Sequence, residues 1–281
     1  MKLVRFGPAG SEKPGIVAAD GSIRDLSSVV ADISGDALSP AGLDRLRAVD
    51  PASLPAAPSG ARLGPCVPMP YNFLAIGLNY ADHAAESGMP IPKEPILFNK
   101  APTSISGPDD DVVLLKGSAK SDWEVELAFV IGTEAFDVPA DKALDHVAGY
   151  CICNDVSERF WQIESTGQWV KGKSAPTYGP VGPWLVTRDE IADPQKLAMS
   201  LDLNGKRMQT GSTATMIFGV AELIAYTSRL MKLVPGDIVT TGTPPGVGMG
   251  MKPSPVFLKA GDEMVVTIEG LGEQRQKVVA G

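Results

Sequence analysis

Three features of this 281-residue chain predict an α+β fold, mainly β. Short apolar or alternating runs outnumber helical ones. The runs do not alternate with helices as parallel βαβ units would. A single long amphipathic helix, about Ile217 to Met231, stands among them.

The elements follow in order. Lys2–Phe6 and Gly15–Ala19 read as strands, with Asp20-Gly21 as a hairpin turn into Ser22-Ile23-Arg24. Two short helices are expected around Leu26–Ile33 and Pro40–Ala48. Prolines 51, 55, 58, 65, 68 and 70 then interrupt any regular structure. Residues 1–66 are accordingly expected to form a small N-terminal domain, and 67–281 the main one. Phe73–Gly77 is a short apolar strand. The next ten residues, Asn79 to Gly88, read as a helix, with Asn79 as N-cap and Gly88 followed by Pro90 as its stop. Further strands are predicted at Ile96–Phe98, Val112–Leu115, Trp123–Ile131, Gly149–Cys153, Trp184–Thr187 and Ala198–Leu203. Asn204-Gly205 is a second hairpin signal, into Lys206–Gln209. On the long helix, Val220, Leu223, Ile224, Thr227 and Met231 share one face. Pro235-Gly236 ends it before a strand at Asp237–Thr241, and Glu263–Glu269 with Glu273–Val279 closes the chain as a hairpin around Gly270-Leu271-Gly272.

With 44% hydrophobic and 21% charged residues, the composition is that of an ordinary globular protein. A net charge of −8 and a pI near 4.9 argue against nucleic acid or an anionic membrane as partner. Cys66, Cys151 and Cys153 are odd in number and imply no disulfide framework; Cys151 and Cys153 read as small core residues. No signal-peptide core and no run of 18 apolar residues is present, so a cytoplasmic protein is expected.

The chemistry concentrates between Ser121 and Asp155. Trp123, Val125, Leu127, Phe129 and Ile131 alternate onto one strand face, and Glu124, Glu126 and Ala128 onto the other. Residues at i and i+2 on a strand are roughly 6.5–7 Å apart at their roots, so the two carboxylates can converge on one ion. Tyr150 to Asp155 reads as an apolar strand ending in an acid. If the strands are neighbours, Asp155 supplies a third oxygen. An exposed polar strand face would show the same alternation. The apolar residues that follow Glu126 favour a central strand, however, where adjacent carboxylates repel unless a cation intervenes. Three carboxylates without nitrogen or sulfur ligands suit Mg²⁺, with Mn²⁺ as the alternative.

Of the two histidines, His146 reads as a helix-end residue. His83 precedes Glu86 by three residues on the Asn79–Gly88 helix, a spacing that fits either a surface ion pair or an oriented general base. Gly242 to Gly248 is glycine-rich but lacks the Lys-Ser/Thr ending of a nucleotide loop, and Pro244-Pro245 forbids the helix start that a dinucleotide site needs. No Gly-x-Ser-x-Gly elbow and no Cys-x-x-Cys zinc pair occurs.

From about Tyr71 to the C-terminus, DWEVELAFVIG, NDVSERFWQ, QWVKGKSAPTYGPVGP and PGDIVTTGTPPGVG follow one another much as in the fumarylacetoacetate hydrolase superfamily, which this chain resembles. The resemblance implies a rolled mixed β-core and a dimeric, Mg²⁺-dependent enzyme acting on 2-oxo acids. It implies metal ligation by Glu124, Glu126 and Asp155. Within NYADHAAE, it implies that His83 and Glu86 are a catalytic pair on a lid from Tyr80 to Lys93, hinged over Gly88–Pro95. Lys171 and Lys173 stand at strand spacing; Lys173 matches the family's Gly-Lys-Ser lysine, whereas Lys171 reads as a surface residue. Arg159 and Gln162 match pocket positions, and Thr243 would offer its hydroxyl or N–H to a carboxylate. Lys100 falls near a Phe-x-Lys-Pro motif that Ala101 interrupts here. The closest likeness is to bacterial 2,4-diketo-3-deoxy-L-rhamnonate or -fuconate hydrolases, which form pyruvate plus lactate. An oxaloacetate decarboxylase, a dienoate isomerase or a ureidoglycolate lyase would use the same metal.

Overall fold

The computed structural model describes all residues, 1–281. Its frame is a large mixed sheet running in the order Ile23–Asp25, Lys13–Val17, Lys2–Phe6, Gly179–Thr187, Val147–Asn154, Val125–Ile131, Ile238–Thr240, Phe73–Gly77 and Ile96–Lys100; Ile105–Ser106 pairs alongside Gly179–Thr187. A second sheet is ordered Lys206–Ser212, Ala198–Leu203, Glu263–Ile268, Gly272–Val279 and Val112–Val113. No helix is long and apolar enough to cross a membrane. The fold is α+β and mainly β, as the element order predicted.

The alternation in Val125–Ile131 explains how the layers assemble. Trp123, Val125, Leu127, Phe129 and Ile131 face Met199, Leu201, Met264 and Val266 of the second sheet, in one core. Ala128 and Val130, with Cys151 and Cys153 of the neighbouring strand, face the opposite way and pack on Leu3, Leu26, Leu43 and Leu46. The central strand is thus buried on both faces, the condition under which a near-continuous apolar run is stable. Residues 1–66 supply the three strands at one end of the large sheet, through Leu3↔Leu185 pairing. The boundary expected near residue 66 is therefore crossed by both a continuous sheet and a shared core.

Several elements depart from expectation, each for a local reason. Leu26–Ile33 forms turns instead of a helix. Its Ser-Ser-Val-Val centre has weak helix propensity, and the Asp32 carboxylate is drawn to Arg5 at 2.7 Å. The predicted helix at Pro40–Ala48 is present as Pro40–Arg47, where the Ser39 hydroxyl accepts from Gly42 N at 3.0 Å. Asn79 is not an N-cap. Its amide instead donates to Phe218 O and Thr241 O and accepts from Phe218 N, stitching the chain below the helix to two distant segments. That helix shortens to Ala81–Glu86 and ends at Gly88, whose φ of 63° is the left-handed stop the sequence predicted. Lys171 and Lys173 lie on the helical turn Val170–Lys173 and not on a strand. The long helix spans Val220–Leu230, with Val220, Leu223, Ile224 and Thr227 buried as expected. Asn204 (φ 53°) and Gly205 (φ 76°) make the left-handed pair of a tight hairpin turn.

Candidate active site

The site grows from an interruption in the central strand. Ser121–Asp122 pairs with Ser157–Glu158, and the regular ladder resumes at Val125. In the gap, side chains replace missing strand partners: Gln209 Oε1 accepts from Val125 N at 3.0 Å, and Asn154 Oδ1 from Glu124 N at 3.2 Å. The register pairs Cys153 with Glu126 and Asn154 with Val125. Asp155, just past the strand end, therefore falls beside Glu124, its N–H donating to Glu124 O at 2.9 Å. One carboxylate oxygen from each of Glu124, Glu126 and Asp155 lies within 4.8 Å of the others, and all three residues are buried. The convergence inferred from i, i+2 spacing is present.

The electrostatics are those of crowded anions held by cations. Lys173 Nζ lies 2.6 Å from Glu124 Oε2 and 2.7 Å from Asp155 Oδ2. The guanidinium of Arg159 lies 2.7 Å from Glu124 and 2.8 Å from Asp122. Burial opposes ionisation of Glu124, yet Lys173 and Arg159 overcome it and hold the carboxyl at about 2. Glu126 lacks such a partner. Burial first, then the charges of Asp155 and Glu124, push its carboxyl well above the ordinary range, although Gly242 N donates to its Oε2 at 2.9 Å. Burial would lower the Lys173 ammonium, but Asp155 and Glu124 outweigh it and raise it. A buried set of hard oxygens with one carboxylate short of positive charge fits a divalent cation such as Mg²⁺ or Mn²⁺.

These residues line a cavity of about 510 Å³ that also receives His83, Glu86, Gln162 and Thr243. His83 Nδ1 is 3.2 Å from Glu86 Oε2, and its Nε2 makes no hydrogen bond within the chain. Glu86 Oε2 also accepts from Gly246 N at 3.2 Å, so the short helix is seated on the glycine-rich loop. Gln162 Oε1 accepts from Arg159 Nη1 at 2.9 Å.

Two expected contacts need correction. Lys100 does not reach the cavity. It is fully buried beneath the site, and its ammonium spends three donors on Asp155 Oδ1 (2.6 Å), Lys173 O (2.5 Å) and Tyr178 O (3.0 Å). The Thr243 hydroxyl donates to Val125 O at 2.9 Å and accepts from Gln209 Nε2 at 2.8 Å, which leaves only its backbone N–H for a ligand. Lys171 is exposed, as read, and His146 sits at the end of the short helical turn Leu144–His146.

The aromatic wall was not expected from the sequence, and it stands close to the charged site, with Lys173 Nζ 5.4 Å from the centre of the Phe98 ring. Phe98 and Trp169 meet edge to face at 5.1 Å, and Met89, Met249 and the exposed Lys252 also line the cavity. Trp169 can lie there because residue 77 is glycine. A Cβ at that position would stand 2.3 Å from the indole. Asp122 was also passed over, although it continues the same alternation as Glu124 and Glu126.

The Fumarylacetoacetate (FAA) hydrolase C-terminal model matches residues 72–279. A Burkholderia lata protein, provisionally named a hydrolase, is 63% identical over 276 residues, covering 98% of each chain. A fumarylacetoacetate hydrolase structure from Exiguobacterium antarcticum superposes with a TM-score of 0.87 at 38% identity, over the whole of both chains. A maleylpyruvate hydrolase from Sphingobium sp. SYK-6, solved with manganese(II) and pyruvate, gives 0.83 at 30% identity, again over both full chains. With its acidic triad, flanking lysine and histidine–glutamate pair within the matched region, the chain belongs to the fumarylacetoacetate hydrolase family.

Proposed function

We propose that the protein is a Mg²⁺-dependent hydrolase that cleaves the C3–C4 bond of a 2,4-dioxo acid, releasing pyruvate and a second carboxylic acid. The observation that carries this reading is the placement of the carboxylate triad, Lys173 and the His83–Glu86 pair around one cavity. Glu124, Glu126 and Asp155 would hold the ion. When bound, it supplies the positive charge that binds a 2-oxo acid and favours its enolate. Arg159 and Gln162 orient the oxo-acid end. His83 takes a proton from water at Nε2 as the water attacks the 4-carbonyl. Glu86 holds the Nδ1 side and so fixes the tautomer. Lys173 stabilises the charge that passes to the oxo acid as the bond breaks.

For the acyl arm we propose the 5-hydroxylated, methyl-ended chain of a 2,4-diketo-3-deoxy-L-rhamnonate or -fuconate. Ser87 among apolar wall residues supports a short arm with one polar group. We also propose the homodimer that the resemblance implies. Incubation with acylpyruvates, oxaloacetate and ureidoglycolate, with products identified by mass spectrometry, tests the reading. Pyruvate from an acylpyruvate with uptake of one water is expected. Decarboxylation, isomerisation or urea release without that product would replace it.

A further inference from the structure

The cavity has two working walls, and one buried side chain outside it ties them together. Asp122 is fully buried. Its Oδ1 accepts from Trp123 N at 2.8 Å and from Gly248 N at 2.6 Å. Its Oδ2 accepts from Arg159 Nε at 2.8 Å and from Met249 N at 2.9 Å. A buried carboxylate without such donors would be strongly destabilising, so the arrangement is held from both sides. On one side stands Arg159, which also reaches Glu124 and Gln162. On the other is the loop through Gly248 and Met249.

That loop carries the seat of the short helix. Gly246 N donates to Glu86 Oε2, and Gly246 O accepts from Trp123 Nε1 at 3.1 Å. Gly248 approaches so closely that an added Cβ would meet Asp122 Oδ1 at 2.7 Å and Val256 O at 2.0 Å. The loop therefore has little freedom of its own. Its position follows the Asp122 carboxylate and the Trp123 indole.

We propose, on the hydrolase reading above, that Asp122 is a positioning residue that couples the oxo-acid wall, through Arg159, to the water-activating pair, through the Gly246–Met249 loop and Glu86. Asp122→Asn keeps the shape but replaces one acceptor oxygen with an amide that can only donate. Either the guanidinium or the loop must then shift. Displacements near 1 Å at such a site cost up to about 100-fold in rate.

The test uses the full-length enzyme with Mg²⁺, and oxalate as a non-reacting probe that carries the two adjacent oxygens of a 2-oxo acid. Asp122→Asn should retain the parent's Mg²⁺ affinity, because the triad is intact. It should bind oxalate about tenfold more weakly and lower kcat by roughly 10–100-fold. Trp123→Phe removes the indole bond to Gly246 O without touching Arg159, so it should lower kcat while leaving oxalate affinity unchanged. Combined with Glu86→Gln, either variant should lose less than the product of the single losses, since both act through one contact. Parent-like oxalate binding and kcat in Asp122→Asn would overturn the proposal, and so would losses that multiply with Glu86→Gln. If Asp122→Asn does not fold, the Trp123→Phe and Glu86→Gln pair decides by the same criterion. A parent enzyme that turns over no acylpyruvate counts against the hydrolase reading alone, because the oxalate arm reads Asp122 without chemistry.

Discussion

Replacing His83 with alanine separates binding from chemistry, since His83 touches neither the carboxylate triad nor the lysine between them. In the structure its imidazole has one partner, Glu86 Oε2 at 3.2 Å, and an uncommitted Nε2 within the cavity lining. A positioned general base contributes about 10²–10⁴ in rate, or about 2.7–5.5 kcal/mol at 1.36 kcal/mol per tenfold. His83→Ala should therefore lower kcat by that factor and leave Mg²⁺ and oxalate affinities at the parent values. Glu86→Gln should cost less. The amide can still accept at Nδ1, the contact is long, and Glu86 is partly exposed, so only the charge-assisted part of a weak bond is lost. About tenfold or less is expected. Steady-state kinetics at saturating Mg²⁺, with oxalate titration by calorimetry, reads both effects. A His83→Ala enzyme with parent kcat would refute the assignment and reduce the pair to an ion pair that seats the helix.

Removal of metal by a chelator should abolish turnover, and added Mg²⁺ or Mn²⁺ should restore it; full activity without detectable metal would rule out the triad as the cofactor site. Glu126→Gln should weaken Mg²⁺ binding by roughly 10–100-fold, a loss typical even for the partners of metal ligands, as measured by calorimetry. Lys100→Met removes one member of a buried ion pair and strands two carbonyls. Denaturant unfolding should show a loss of about 3–5 kcal/mol, and an unchanged midpoint would mean that Lys100 has no structural role. A 2,4-dioxo acid bearing a 5-hydroxyl should surpass acetylpyruvate in kcat/KM, because polar groups built for a hydroxyl are left unpaired without it. Equal values would leave a general acylpyruvate hydrolase.

How far the sequence could be read depended on whether a feature was local. Alternation placed Glu124 and Glu126 together, because a strand's geometry is set by its own residues. The same alternation reaches Asp122, but its partners, Arg159 and the Gly248 and Met249 backbone, meet it only in the folded chain. The end of the short helix at Gly88 was legible for the same local reason. Asn79 was misread because its amide satisfies Phe218 and Thr241, more than a hundred residues away, and no capping rule registers such partners. Leu26–Ile33 failed similarly, through Arg5. Lys100 shows the limit most clearly. Its motif is interrupted by Ala101, yet its side chain is fixed beneath Asp155 by that carboxylate and by the carbonyls of Lys173 and Tyr178. The aromatic wall left no sequence signal, since Gly77 and Trp169 meet only in the folded chain.

That last contact has a consequence for how the cavity can change shape. Gly77 and Trp169 both line the cavity, and the glycine packs directly against the edge of the indole. Adding even a methyl group at residue 77 would force Trp169 to move, since the Cβ would begin 2.3 Å from the ring. The strand resists retreat, because it is paired on both edges over residues 73–75 and Gly77 itself pairs with Ile96. Position 77 thus acts as a set-screw on the aromatic wall of the cavity. The shape of that wall would change, while the triad and the His83–Glu86 pair would keep their residues. The form of the cavity can therefore shift through a backbone position that offers no side chain of its own.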